Sequence, residues 1–483
     1  MKKVIVIISF LGLILSSCNK DLDEAAINRN NPENVDIAEL FPSAQQHIAY
    51  TIGNSFAIYG GVWAQYWTQG STARQYLDNE KYIVTNANQN RPWSQLYSGA
   101  LTDLKFVKTK ALAEKDSQIY GMALVMEAYT YQVLADAYEK VPMREALNPD
   151  NFAPAYDEPT VVYDAIEAKL VEAKKLLAAA NTSGHAHTYS FDLFYGGNIT
   201  SWIKFTNTLL LKVYMRQSYA RPNVAQAGIA TNLAGASFLS TTTEMAMARY
   251  GTTLTQKNPL HASQLQLANF ENLKASNTSL NVLNADADKR LGAFYNKNAG
   301  GTYAGFNQGA GQLPSASTAN TNFSNIGDKI GGKDGAAAPV IFMSNWESFF
   351  LQAEAAARGW LGGSAATLYS NGIRESHLYL GFTAVDATAV ANLHPLAGSI
   401  DNQVGLILAQ KWVSMNGTQC FEGYNEVRRV NYSLPYVTFP VSAVSVFGAG
   451  FLPHRFPYSA DEISSNPSTP ATKIVHQKMW FSK

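Results

Sequence analysis

The chain has 483 residues, 46% of them hydrophobic, 12% aromatic and only 15% charged, with Lys plus Arg matching Asp plus Glu at 37 each. Balanced charge with no basic run beyond the first residues lacks the electrostatic footprint of a nucleic-acid binder. Two cysteines in so long a chain exclude a disulfide framework and a cysteine-built metal site, and the length allows a large core in one to three domains.

At the start, Lys2 and Lys3 precede the apolar run Val4 to Leu15, and then come Ser16, Ser17 and Cys18. A transmembrane helix needs about 20 apolar residues, so this shorter run reads as a secretory signal peptide over 1–17. The order Leu15-Ser16-Ser17-Cys18 resembles a bacterial lipobox, which makes Cys18 the expected lipidation site and membrane anchor and leaves Cys420 as the one free thiol. Asp21, Asp23 and Glu24 resemble the export signal of surface-exposed lipoproteins in Bacteroidota-type bacteria. Residues 18–38, including "INRNNPENV", hold little apolar periodicity and read as a lipidated tether. Residues 39–483 read as the folded body.

Helical patterns dominate from there. The spacing predicts helices over 92–114 and 117–140, the latter carrying Ile119, Met122, Met126, Tyr129, Val133 and Ala137 at steps of three and four and stopping at Pro142. A helix is predicted over 159–180. Another holds Trp202, Phe205, Leu209 and Val213 on one stripe, with Ser201 as a candidate cap. Between 222 and 343 the chain turns rich in Gly, Ser, Thr and Asn, but aromatic residues planted within it argue for an ordered, functional loop. Ser344 and Glu347 have capping-box spacing, Gly359 supplies a stop, and a new helix should begin near Ser364. Two more helices are predicted at 403–415 and 419–429, followed by an irregular, proline-rich tail over 431–483. The helices pair as hairpins of roughly tetratricopeptide length, without that repeat's signature at a fixed period.

Flat apolar faces beside planar hydrogen-bonding groups suit sugars or peptides. The stretch "GGVWAQYWTQGSTARQYLDNE" offers Trp63, Tyr66, Trp67 and Tyr76 with Gln69, Arg74 and Asn79, and the Gly-rich segment offers Tyr303, Phe306 and Asn322 as a second wall. The competing reading is packing, since Trp63 and Trp67 are four apart on one helix face. Catalytic patterns are weak. Glu347 and Glu354 are seven apart on one predicted helix face, and a pair of carboxylates is what glycoside hydrolysis requires, yet capping already explains Glu347. His185-Ala186-His187 has no third metal ligand nearby and reads as a solvated loop. The carboxylates and guanidinium groups of "AEAAARG" and "EVRRV" read as buried ion pairs. The glycine-rich runs lack the Lys-Ser/Thr and helix of a phosphate loop.

Eight segments in order resemble the SusD/RagB family of outer-membrane nutrient-binding lipoproteins: "RPWSQLYSGALTDLKFV", "AYTYQVLADAYEKVPMREAL", "SWIKFTNTLLLKVYMR", "DADKRLGAFY", "FMSNWESFFLQAEAAARG", "LYSNGIRESHLYLG", "QKWVSMNGTQCFEGYNEVRRV" and "LPHRFPYSADEISSN". The family's usual Asp-Pro-Arg is here Asp288-Lys289-Arg290, and its Gly-Asp before Val-Pro is here Glu139-Lys140. The resemblance implies a mostly α-helical, SusD-like single domain, with degenerate tetratricopeptide-like helix pairs and a loop-rich ligand-binding side. It implies a non-enzymatic cell-surface lipoprotein, without a cofactor, that captures oligosaccharides, or in some members peptides. Its partner would be a SusC-like TonB-dependent transporter of the outer membrane. The family's ligand surface varies in sequence, so no ligand residue carries over by motif.

Overall fold

A computed structural model describes residues 35–182, 186–314 and 319–483. The signal peptide, Cys18, nearly all of the tether and His185 lie outside the described residues. Helix α1 (Ile37–Gly53) begins inside the predicted tether, capped by the Asp36 carboxylate, which accepts from the Ala38 amide, and it buries Leu40, Phe41, Ala44 and Ile48. Next come α2 (Ser55–Trp63), the short strand β1 (Trp67–Gln69) and the one-turn α3 (Leu77–Glu80). The helix predicted over 92–114 is broken in two: α4 (Asn90–Ser94) runs into a π-helical stretch, Gln95–Leu101, before α5 (Thr102–Glu114).

Helix α6 (Ser117–Tyr138) is capped by Asp116 and is the central rod of the molecule. The predicted stripe is buried, but so are Leu124, Val125, Tyr131 and Leu134 on its other faces, because α5 and α7 (Pro159–Thr182) cover it from both sides. Helix α8 (Ile199–Arg216) packs on α7 and starts one turn earlier than Ser201: Asn198 is its cap and accepts from the Ser201 amide at 2.9 Å. Helix α9 (Pro222–Asn232) closes this layer against α8.

The described residues of the Gly- and Asn-rich middle are ordered. It contains β2 (Ala246–Ala248), α10 (Pro259–Gln266), β3 (Leu273–Ala275), α11 (Asn277–Ala285), the single turn α12 (Leu291–Phe294) and β4 (Val340–Met343). Antiparallel pairing of β1 with β3 and of β2 with β4 pins this stretch to the helical body. Isolated bridges Ser276–Phe306 and Tyr295–Ile326 fold the glycine-rich part back on it. A second helical layer follows as α13 (Asn345–Ala357), α14 (Ala365–Leu380), α15 (Ala384–Leu393), α16 (Ile400–Met415) and α17 (Cys420–Arg429), with α13 packed against both α14 and α16. Gly359 takes φ +72° just past α13, and Ser364 caps α14, as the sequence predicts. The tail is irregular apart from α18 (Ala460–Ser465). It is nonetheless anchored, with the Phe456 ring stacked on Phe56 at 5.4 Å and on Trp63 at 5.1 Å.

Charges, not only apolar groups, hold the layers together. Arg216 on α8 binds Asp136 of α6 at 3.1 Å and Glu422 and Glu426 of α17 at 2.6 and 3.0 Å, all fully buried. The expected capping box at α13 is only half formed. Ser344 accepts from the Glu347 amide at 3.1 Å, but the Glu347 carboxylate turns to Lys212 at 2.9 Å and to the Gln419 side chain at 2.6 Å. The fully buried Lys212 would otherwise hold an uncompensated charge, which costs more than one missing capping bond. Among the described residues no helix is long and apolar enough to cross a membrane.

Candidate functional site

An open groove of about 870 Å³ forms where five stretches of chain converge. Helix α1 supplies Ser43, Gln46, His47 and Tyr50 at steps of three, one and three. These share the one face of α1 that the core does not claim. Asn54, Ser55, Ile58 and Tyr59 continue the wall into α2, and Gln75, Tyr76 and Asn79 enter from the chain around α3. Asn88, Arg91 and Gln95 come from around α4; the π turn begins at Gln95. Extra-residue turns of this kind re-aim side chains and concentrate at functional sites. The far wall is Tyr250, Leu254, Thr255 and Lys257 with the exposed side of α10.

The walls are braced against each other. The Tyr250 hydroxyl donates to Gln46 Oε1 at 3.1 Å, Gln264 Nε2 donates to the Tyr76 hydroxyl at 2.7 Å, and Asn54 Nδ2 donates to the Pro259 carbonyl at 2.9 Å. His47 Nδ1 lies 2.6 Å from Gln95 Oε1, and the Arg91 guanidinium carbon lies 4.3 Å from the centroid of the Tyr50 ring. Burial pushes the Tyr59, Tyr76 and Tyr250 hydroxyls above their ordinary range, so they stay neutral. Four tyrosines interleaved with Gln and Asn side chains provide ring faces and planar donor–acceptor pairs in one concave surface.

Beneath α3, Glu80 is fully buried and organises the loops around the groove. It accepts from Thr68 Oγ1 at 2.8 Å, the Gln69 amide at 2.9 Å, Gln308 Nε2 at 3.1 Å and Ser442 Oγ at 3.2 Å. One carboxylate thus ties β1, the glycine-rich loop and the tail to the turn that carries Tyr76 and Asn79. Burial, only partly offset by these donors, raises its pKa to about 7.

Of the residues that the sequence singled out, Tyr76 and Asn79 line the groove. Trp63, Tyr66 and Trp67 are fully buried and present no face to solvent. Trp63 donates to the Asn79 carbonyl at 3.0 Å, Tyr66 donates to the Trp412 carbonyl at 2.7 Å, and the Trp67 ring covers Gly61 so closely that a Cβ there would fall 2.1 Å from it. Their work is packing, though not from one helix face as the spacing suggested: Trp63 ends α2 and Trp67 opens β1, and the chain between them turns both rings into the core. Arg74 is exposed beside the groove without lining it.

The second expected wall does not join the groove either. Phe306 is buried and stacked on Phe323 at 3.5 Å, Tyr303 is half-buried under Lys297, and exposed Asn322 uses its carbonyl to accept from Asn298. The neighbouring Asn307 borders a separate concavity of about 430 Å³ with Asn277, Asp286 and Tyr436. The residues that sequence reasoning missed sit on α1, where a polar and aromatic stripe at 43, 46, 47 and 50 opposes an apolar one. Glu347 and Glu354 are both locked in buried ion pairs, far from the open geometry that a general acid needs. Among the described residues no group of three or more His, Cys, Asp or Glu is placed to hold a metal ion.

No curated protein matches the chain. Solved structures share the fold at low sequence identity. A chitin-binding protein superposes with a TM-score of 0.77 at 22% identity, covering 93% of this chain and 100% of its own. A chitin-binding SusD homologue from Flavobacterium johnsoniae gives 0.77 at 20% identity, over 92% and 98% of the two chains. A SusD-like protein from Bacteroides thetaiotaomicron gives 0.75 at 21%, over 92% and 99%. The model of the SusD-like family described as starch-binding and associating with the outer membrane matches residues 29–459. The chain therefore belongs to that SusD-like family.

Proposed function

We propose that this protein is a lipid-anchored glycan-capture protein of the outer membrane, which holds an oligosaccharide in the α1–α10 groove and passes it to a TonB-dependent transporter. The observation that carries the reading is the groove itself. Its volume of about 870 Å³ lies toward the upper end of the roughly 300–1,000 Å³ spanned by ligand clefts, and its lining alternates tyrosine rings with amide side chains. Sugars present alternating apolar faces and hydroxyl edges, and this surface matches both. The family description and two chitin-binding neighbours of the same fold support saccharide as the ligand class. The groove acts by binding alone: rings stack, amides orient, and the bracing hydrogen bonds between walls reduce the ordering cost of capture. Anchoring through Cys18 and delivery to a SusC-like partner follow from the lipobox and the family resemblance.

Calorimetric titration of the protein from residue 19 onward with a panel of oligosaccharides tests the reading. Saturable heat that is lost in Tyr50→Ala, with an unchanged melting curve, is the expected result. Heat from peptides alone would overturn the glycan assignment, and a Tyr50→Ala variant that binds normally would overturn the groove.

A further inference from the structure

The groove is one-sided in charge. Arg91 and Lys257 line it, and no Asp or Glu does. The buried cations elsewhere are each matched: Lys212, Arg216, Arg290, Lys411 and Arg429 bind a buried carboxylate within 3.1 Å. Arg91 and Lys257, by contrast, form no ion pair among the described residues. Asp78 acts on Tyr59 from the α3 side, and Asp103 is held by Ser43 and faces His47 from α5. Neither neutralises Arg91 or Lys257.

From this we infer that the groove is built for an anionic glycan, an oligosaccharide carrying uronate carboxylates or sulfate esters; the inference rests on the glycan-capture reading above. The Arg91 Cζ sits 4.3 Å from the Tyr50 ring centroid, a cation–π contact that holds the guanidinium over the groove wall while its N–H groups bind no side chain among the described residues. An oriented guanidinium edge matches the two oxygens of a carboxylate or sulfate as a fork, whereas a neutral sugar hydroxyl uses only one donor at a time. Lys257 adds a mobile point charge on the opposite wall, so two anionic groups on one chain can be held across the groove. An unpaired positive field in a concave site also steers anions toward it.

The test is a titration of the protein from residue 19 onward with three oligosaccharides of equal length: an oligogalacturonate, a sulfated galactan fragment and a neutral chito-oligosaccharide. The expected result is at least about tenfold tighter binding of one or both anionic ligands at low salt, with the advantage shrinking as salt rises. In the double variant Arg91→Gln, Lys257→Gln that advantage should vanish while the melting curve stays in place. Arg91→Lys should lose most of it although the charge is kept. Neutral ligand bound as tightly as the anionic ones, or an unchanged preference in the double variant, overturns the inference and leaves glycan capture standing. No binding of any of the three, or binding of an acidic peptide alone, overturns both.

Discussion

Glu354 of α13 and Arg429 of α17 form a two-pronged pair, with Nη1 to Oε1 at 2.9 Å and Nη2 to Oε2 at 2.6 Å, wholly inside the protein. Burial alone would raise the Glu354 pKa, but Arg429 and Arg358 outweigh it and hold the carboxyl below its usual range. The pair joins two helices of the second layer. Breaking it by removing one charge strands the other in a dry site, at a cost of about 3–5 kcal/mol. Glu354→Gln should therefore lower the urea midpoint by a large fraction of the total stability. A normal midpoint together with loss of a sugar-releasing activity would revive the carboxylate pair as catalytic.

Glu80 should make stability depend on pH in an unusual direction. Its folded pKa is about 7 against an ordinary 4.5, so between those values the folded state keeps a proton that the unfolded chain has released. Stability must then fall as pH rises through this window, by about 3 kcal/mol in total, and level off above about 7. Glu80→Gln removes the titration. The variant's stability relative to the native chain should climb between pH 4.5 and 7.5, as read by urea melts at each pH, and a flat difference would show that Glu80 is already ionised.

Trp67 lies against Gly61 and exposes nothing. Trp67→Ala opens a cavity in a close-packed core and should cost about 3–5 kcal/mol. Its effect on ligand affinity below the melting transition should be small, which separates it from Tyr50→Ala. Gly61→Ala should damage the same contact from the other side, since the new methyl would overlap the indole ring.

The contrast between Trp67 and Tyr50 shows what the sequence makes legible. Helix positions follow from local spacing and caps, and so do the buried pairs of "AEAAARG" and "EVRRV", because those rules act within a few residues. The location of the groove depends on contacts between residues about 200 positions apart, such as Tyr250 with Gln46. No short-range pattern encodes that approach. Aromatic richness near Trp63 drew attention to a core cluster, where Phe456 from the far tail completes the stack. The α1 stripe was readable in principle, but its polar side is equally consistent with a solvated face until α10 is seen opposite.

Cys420 offers a reporter for this packing. It is 3% exposed at the start of α17, and burial pushes its thiol far above the ordinary range despite nearby amide donors. A thiol that stays protonated and covered is inert. In the protein from residue 19 onward, where Cys420 is the only thiol, a maleimide should react negligibly under native conditions and fully in urea. Gly60 of α2 sits where a Cβ would come within 2.5 Å of the Cys420 carbonyl oxygen. Gly60→Ala must push α17 away from α2, so it should speed native labelling and lower the melting temperature together. Rapid labelling of the unaltered protein would mean that the α2–α17 contact opens readily, and the tight approach at Gly60 would then carry little of the stability assigned to it.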